Sequence, residues 1–415
     1  MKEFLKLRFI LLPKVIIMRL RKDFIIKPNI NAPYDEESER HADWLELLFD
    51  LIFVAAISQL ALNLTADYSP IIFLEYIPVF FAVWWSWVGH TFYLSRFGAD
   101  DMFNRFLTMM QMIVVAMMTV NVKDALGSTG FGFALSYAFL RFILVAEYLR
   151  IWRHVPEARS LSKRYILGFG AAAMIWVVSA FTPPPLRFAL WGLGLLVDVI
   201  TPITSGKIQV SLPPHPTHIP ERFGLFTIIL IGETIISVVF TVINAGLSIL
   251  TEFTGFMGLL IAFSIWWGYF EESGGAEAHV QEAGHQVAKY QLWLYSHFPL
   301  LLGIVSTAVG IKHIIYLGTG FMPSGEVWLL TCSLGLALLS LTLVFISSYS
   351  METCKDWALQ IFRLPYYVII VLVVLTGFLG STLPGYMILG ILTLLCAIKM
   401  VLSFREPPAV CKMYK

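Results

Sequence analysis

A stretch of about 17 to 25 apolar residues is long enough to cross a bilayer as a helix, and a chain built of many such stretches has few folds open to it. This sequence contains twelve, near residues 43–64, 71–94, 103–121, 131–149, 165–182, 186–203, 222–246, 252–270, 289–311, 326–347, 364–381 and 384–402. Of its 415 residues, 58% are hydrophobic and 14% charged. Mean hydropathy is +0.75, and a water-soluble protein of this size needs a larger charged surface. The expected fold class is all-α, a polytopic membrane protein of about twelve transmembrane helices. Its weakest boundaries are the Thr182-Pro183-Pro184-Pro185 break and the tight turn from Gly380 to Gly385, either of which could be one kinked segment.

Charge placement sets the expected topology. With the N-terminus inside, the cytoplasmic side receives Arg40, Arg96, Arg105, the cluster Arg150 to Arg164, Lys207, Arg222, Lys289, Lys355, Arg363, Lys399 and Arg405. External connections keep only Lys123, Arg187 and Lys312, a positive-inside pattern, and an even helix count returns the C-terminus to the cytoplasm. The expected arrangement is therefore multi-pass in a membrane, with both termini cytoplasmic. A net charge of +1 gives no nucleic-acid footprint, and the four cysteines are too late and scattered for a disulfide framework or a metal knuckle.

The expected domains are a basic cytoplasmic arm at 1–40, a first membrane half at 41–205, a proline-rich cytoplasmic linker at 206–220, a second half at 221–402 and a tail at 403–415. The arm's eight basic residues interrupt its apolar patches too often for a spanning helix, and fit an arm resting on anionic lipid. His41 to Leu64 and His218 to Val242 share an opening His and a Leu-Phe step, and each is followed by a helix with adjacent tryptophans, Trp84-Trp85 and Trp266-Trp267. The spacing of about 180 residues divides the chain into a six-plus-six parallel repeat.

Charge inside an apolar run is expensive unless paired, hydrated or neutralised, which singles out Glu46 and Asp50. One turn apart on one helix face, they are placed to share an exchangeable proton, or to pair with bases near the cytoplasmic end. Gln59 and Asn63 form a second such pair, read more simply as amide ties between helices. Glu233 lies halfway along the seventh run, where a short carboxylate cannot snorkel, with Gly232 beside it. Arg141 is the expected counter-charge; Glu46, Asp50 and Glu233 are rivals for it, and Asp198 either joins the same network or meets solvent at the inner end of the sixth helix. His90 and His297 are candidates for proton handling, each with an alternative role as a packed polar junction. The loop run His279, Glu282 and His285 lacks the His-Glu-x-x-His arrangement of zinc hydrolases, and His215 with His218 is an equally weak pair. No phosphate-binding loop or nucleophile elbow is present, so no catalytic residue, cofactor or metal is expected.

The segment Trp44-Leu45-Glu46-Leu47-Leu48-Phe49-Asp50-Leu51-Ile52-Phe53 resembles the opening signature of the bacterial low temperature requirement protein A family. Arg222-Phe223-Gly224-Leu225-Phe226 through Leu230-Ile231-Gly232-Glu233-Thr234, and Tyr295-Ser296-His297-Phe298-Pro299, resemble its later segments. The resemblance covers roughly residues 37 to 402 and implies a multipass protein of the bacterial inner membrane linked by name to growth in the cold, with no substrate or reaction attached. The expected function is a proton- or cation-linked transporter of a small solute or ion. Expected partners are the lipid bilayer, a proton or monovalent cation, an unknown small solute and a second copy of the chain. The alternatives are a membrane sensor or scaffold recruiting a cytoplasmic partner, and an ion channel.

Overall fold

The computed structural model describes residues 28–30, 42–98, 101–272, 285–348 and 356–404. The basic arm, most of the acidic loop after Glu271, including His279 and Glu282, and most of the tail lie outside the described residues. Each of the twelve apolar runs forms a helix of its own. They are α1 (Trp44–Ala66), α2 (Pro70–Arg96), α3 (Met102–Val122), α4 (Gly130–His154), α5 (Arg159–Ala180), α6 (Leu186–Ile203), α7 (His218–Ala245), α8 (Ile249–Phe270), α9 (His285–Leu317), α10 (Ser324–Ser348), α11 (Asp356–Leu375) and α12 (Gly385–Ser403). Among the described residues, eleven helices are long and apolar enough to cross a membrane, and the shorter apolar stretch Leu364–Leu379 runs through α11 into a 3-10 turn.

Local chemistry sets the helix ends. Asp43 caps α1 by accepting from the Trp44 amide at 2.7 Å, and Ser248 and Thr251 form a reciprocal capping box at the start of α8. Pro183, Pro184 and Pro185 remove three successive N–H donors, so α5 stops at Ala180 and α6 starts afresh at Leu186. The seventh helix starts four residues before the expected 222, because Pro220 falls in its first turn, where a missing N–H costs nothing. Large apolar side chains stay exposed along most helices, among them Ile71, Met117, Leu167, Phe240 and Ile249, as a hydrocarbon surround requires.

The chain forms two compact units. The first comprises 1–35, 88–118 and 131–215. Its core is aromatic: Tyr93, Phe97, Tyr148, Tyr165 and Phe169 cluster with Ile151 and Leu161, and Tyr148 meets Tyr165 edge-on at 4.9 Å. Asn29–Ile30 pairs antiparallel with Phe97–Gly98 in a two-stranded ribbon. In the proline-rich segment, Gly206–Val210 makes one helical turn before the prolines begin. Arg96 Nε then donates to Leu212 O at 3.2 Å, and the His215 amide donates to Ser95 Oγ at 3.0 Å.

The second unit comprises 36–87, 119–130 and 216–415. Its interior is the α9–α10 pair, whose apolar stretches are 83% and 72% buried. Gly303 permits their close approach, because a Cβ there would lie 2.7 Å from Ser333 O and 2.9 Å from Ala337 N. Polar side chains fasten the end of α1. Tyr68 Oη donates to Ser306 O at 2.9 Å, Asn63 Nδ2 donates to Lys123 O at 2.6 Å, and His313 Nε2 lies 2.9 Å from Thr65 O.

Backbone atoms cannot give way as a side-chain tip can, so G303A is expected to destabilise the fold by about 1–3 kcal/mol. Thermal unfolding of the purified protein in detergent measures this, and an unchanged Tm would show that α9 and α10 separate without cost. In the connection after α3, Asp124 accepts from the Ser128 amide at 2.7 Å and the Ser128 hydroxyl at 2.6 Å. These bonds hold its exposed carboxyl below the ordinary 3.8. A depressed folded value gives stability that is present above 3.8 and lost as pH falls through the folded value. The protection factor of the Ser128 amide, its exchange rate relative to an unstructured amide at the same pH, should therefore fall on acidification, and D124A should remove both the protection and its pH dependence.

Candidate functional site

Within the second unit, α1 carries Glu46 and Asp50 one turn apart, and α7 carries His218 and Arg222 at the same spacing. The two pairs meet rung by rung. His218 Nε2 lies 2.8 Å from Glu46 Oε2, while Arg222 donates from Nε to Asp50 Oδ2 at 3.0 Å and from Nη2 to Asp50 Oδ1 at 2.5 Å. Both rungs are offset by 172 residues in the same sense, so α1 and α7 run in the same direction at this contact. Trp87 Nε1, from α2, donates to Asp50 Oδ1 at 2.6 Å. Asp50, His218 and Arg222 are each 0% exposed, and Glu46 is 5% exposed.

This geometry is that of a bidentate, charge-assisted pair in dry surroundings. The Trp87 ring packs on Phe223 at 4.8 Å and Phe226 at 4.3 Å, and Phe223 continues the wall to Trp293 at 5.0 Å. Arg222 Nη1 lies 3.1 Å from Glu46 Oε2, close enough for an ion pair but off the hydrogen-bonding direction. His218 Nδ1 is buried with no hydrogen-bond partner among the described residues.

Farther along the same helices a second polar level appears. Ser58 on α1 donates to Glu233 on α7 at 2.5 Å, about 16 Å along the α7 axis from Arg222. Glu233 is half-buried, Lys312 on α9 feels its charge, and a Cβ added at neighbouring Gly232 would meet nothing within 4 Å. His297 lies behind Phe223. Its Nδ1 donates to Trp293 O at 2.8 Å, which leaves Nε2 to accept from Tyr269 Oη at 3.0 Å. Both ring nitrogens are therefore occupied, and the ring is a neutral, fully buried junction.

Arg141 and His90 belong to the first unit and have their partners there. Arg141 Nε donates to Asp198 Oδ2 at 2.7 Å and Nη2 to Tyr137 Oη at 2.7 Å, while the Tyr137 hydroxyl donates to the same Asp198 oxygen at 2.5 Å. Gly89 leaves room for the guanidinium, since a Cβ there would come within 2.9 Å of Arg141 Nη1. His90 Nδ1 lies 3.3 Å from Glu147 Oε2, and Gln111 Nε2 reaches both His90 Nδ1 and Glu147 Oε1 at 2.9 Å. Among the described residues there is no group of three or more His, Cys, Asp or Glu side chains placed to hold a metal ion. The His279, Glu282 and His285 side chains fall outside the described residues.

A match to the family described as Bacterial low temperature requirement A protein (LtrA) spans residues 41–401, which takes in both rungs of the α1–α7 contact, Arg141 and Glu233. This chain belongs to that family. It is also similar to a protein of Rhizobium meliloti (strain 1021), named Uncharacterized protein RA0937, with 27% identity over 318 residues, or 69% of this chain and 77% of that one. No solved structure matches.

For this LtrA-family chain, sequence reasoning reached the carboxylates but not their bases. Arg222, counted there among the cytoplasmic charges, is buried and holds Asp50. The available signal was the spacing of His218 and Arg222, which repeats that of Glu46 and Asp50 once α7 is allowed to begin at His218. Arg141 is held by Asp198, which was not among its three expected rivals.

Removing one partner of a buried ion pair leaves an uncompensated charge. R222M is therefore expected to cost about 3–5 kcal/mol. The double variant D50N/R222M should cost less than the sum of its two single variants by at least about 1 kcal/mol. Thermal unfolding in detergent checks this cycle, and additive losses would mean that the two side chains are not energetically coupled.

Proposed function

We propose that the protein is a proton- or cation-linked membrane transporter of a small solute or ion. The observation that carries this reading is the buried ladder between α1 and α7, where two carboxylates face one arginine and one histidine. Buried charge of this kind costs stability relative to apolar packing, and in membrane helices it marks ion or substrate pathways. Glu46, Asp50 and Glu233 are assigned to ion or proton handling. Arg141, His90 and His297 are assigned to the supporting polar network, each already engaged by fixed partners.

The same reading takes the chain as two membrane halves, 41–205 and 221–402, in a six-plus-six parallel repeat. The shared direction of α1 and α7 at the ladder supports it. It places the protein in the bacterial inner membrane with the arm, the linker and both termini cytoplasmic, supported by the positive-inside bias. Alternating access then amounts to a change in how α1 and α7 pack as the ladder gains or loses charge.

The test is proton movement in proteoliposomes loaded with the pH dye pyranine, under imposed sodium or potassium gradients and with a panel of small solutes. Wild type should couple one of these gradients to proton flux, and D50N and E233Q should each lower the rate at least tenfold. Undiminished flux in both folded variants would overturn the assignment. Fast conduction uncoupled from any solute would replace the transporter with a channel.

A further inference from the structure

The polar level at Glu233 differs from the ladder in what it leaves open. Asp50 accepts three N–H donors, which cover both its oxygens. Glu233, near the middle of α7, accepts one bond on Oε1 from the Ser58 hydroxyl, and its Oε2 has no hydrogen bond among the described residues. Lys312, expected from the sequence in an external connection, lies inside α9 and is 9% exposed. An ammonium carries three donors and no acceptor. Among the described residues, none of the three is taken up by a hydrogen bond or an ion pair.

The second unit brings these two groups to one region, because α9 packs against both α1 and α7. Phe223 on α7 meets His297 on α9, and a Cβ at Gly258 would meet Val238 on α7 at 3.7 Å and Ile311 on α9 at 2.7 Å. The two helices therefore run in the same direction, with Lys312 roughly 8 Å beyond the level of Glu233 along the axis. Helical side chains lean toward the N-terminus, which brings the Lys312 chain back toward Glu233. Glu233 is the charge that reaches Lys312 among the described residues, yet the two do not close to an ion pair. Val305 and Ala308, earlier on the same face of α9, are apolar and buried, and the Glu326 carboxylate is engaged by His313 at 3.2 Å.

Opposite charges in apolar surroundings gain by closing on each other, and a buried ammonium without an acceptor costs stability. A pair held apart suits a ligand that supplies both signs. A lone cation at Glu233 is repelled by Lys312, and a lone anion at Lys312 is repelled by Glu233. A solute with a protonated amine and a carboxylate satisfies both groups and adds no net charge. We infer that Glu233 and Lys312 bind a small zwitterion of the amino-acid kind, its ammonium on Glu233 Oε2 and its carboxylate on Lys312 Nζ. Ser58 holds Glu233 by its other oxygen. As the substrate class of a transporter this rests on the function proposed above; the binding itself does not.

An aminophospholipid headgroup carries the same two signs, an ammonium and a phosphate. Glu233, however, stands about 18 Å along α7 from the nearer helix end, deeper than headgroups lie. The site is therefore assigned to a free solute, and mid-helix is the level at which secondary transporters bind theirs. A binding role and a structural role for Lys312 also have opposite consequences. Replacing a structural partner of Glu233 lowers stability, whereas replacing an ammonium kept for a ligand removes a buried charge and loses only the ligand.

Equilibrium binding of radiolabelled amino acids to the full-length protein tests the site with no gradient and no flux. The probes are the protein amino acids with β-alanine and γ-aminobutyrate, in phosphatidylglycerol nanodiscs, whose lipid carries no ammonium. At least one probe should bind wild type, and its analogues lacking either the carboxylate or the amine should compete at least tenfold more weakly. E233Q and K312M should each weaken binding at least tenfold, with K312M unfolding at no lower temperature than wild type. No binding by any probe, equal competition by either analogue, or wild-type binding in K312M would overturn the inference. A K312M that unfolds at lower temperature or fails to fold would overturn it too, by making Lys312 a structural partner. Unchanged affinity in phosphatidylethanolamine nanodiscs would support the free solute; a tenfold loss there would give the site to the headgroup and overturn it. Probe binding without coupled flux would support the site while overturning the transporter reading, and coupled flux of an inorganic ion without probe binding would do the reverse.

Discussion

The contact between Asp50 and Arg222 organises the second unit. Two charges with no solvent access are stable together only when the geometry is good and the remaining valences are filled. Here the guanidinium is held edge-on by one carboxylate, that carboxylate is closed by Trp87, and an aromatic wall excludes competing dipoles. Three helices, α1, α2 and α7, are thereby fastened through one side chain. In an apolar surround, where sliding one helix along another costs little, this contact fixes their register.

The levels along α1 and α7 differ in kind. At the ladder every charge is enclosed, whereas at Ser58 and Glu233 the carboxylate is half-buried and open space adjoins Gly232. Toward the end of α1, His313 stands between Thr65 O and Glu326, two acceptors, at 2.9 and 3.2 Å. Polar chemistry therefore recurs along the whole length of a helix whose composition is otherwise apolar. It is spaced at intervals that place successive groups against α7 and α9.

The sequence made the scaffold legible because hydrocarbon thickness fixes helix length and three prolines forbid a continuous α5–α6 helix. Glu46, Asp50 and Glu233 stood out for the same reason, since charge against an apolar background is visible without a fold. Their partners were not visible, because pairing joins residues 172 positions apart and sequence carries no distance. Arg222 was hidden by its proximity to the prolines, which drew it toward the loop, and Arg141 by the number of acids within reach. Asp198 reads as a helix-end residue until the aromatic stack of Tyr137, Trp176 and Trp191 shows how deeply it lies. His297 drew attention as a histidine in a membrane helix, yet its bonds to Trp293 and Tyr269 are those of a packed junction.

The separation of the ladder's two sides in the chain has a consequence for how the protein is made. A ribosome adds about 5–20 residues per second, so α1 emerges roughly 10 to 30 seconds before α7. Over that interval Glu46 and Asp50 have neither His218 nor Arg222 beside them. Helix α1 must therefore wait with its acids hydrated at the membrane surface, sheltered by the insertion machinery or carrying protons, until α7 arrives. Assembly of the second unit is in this sense a late neutralisation reaction, and α1 is not settled in the bilayer until α7 has been made.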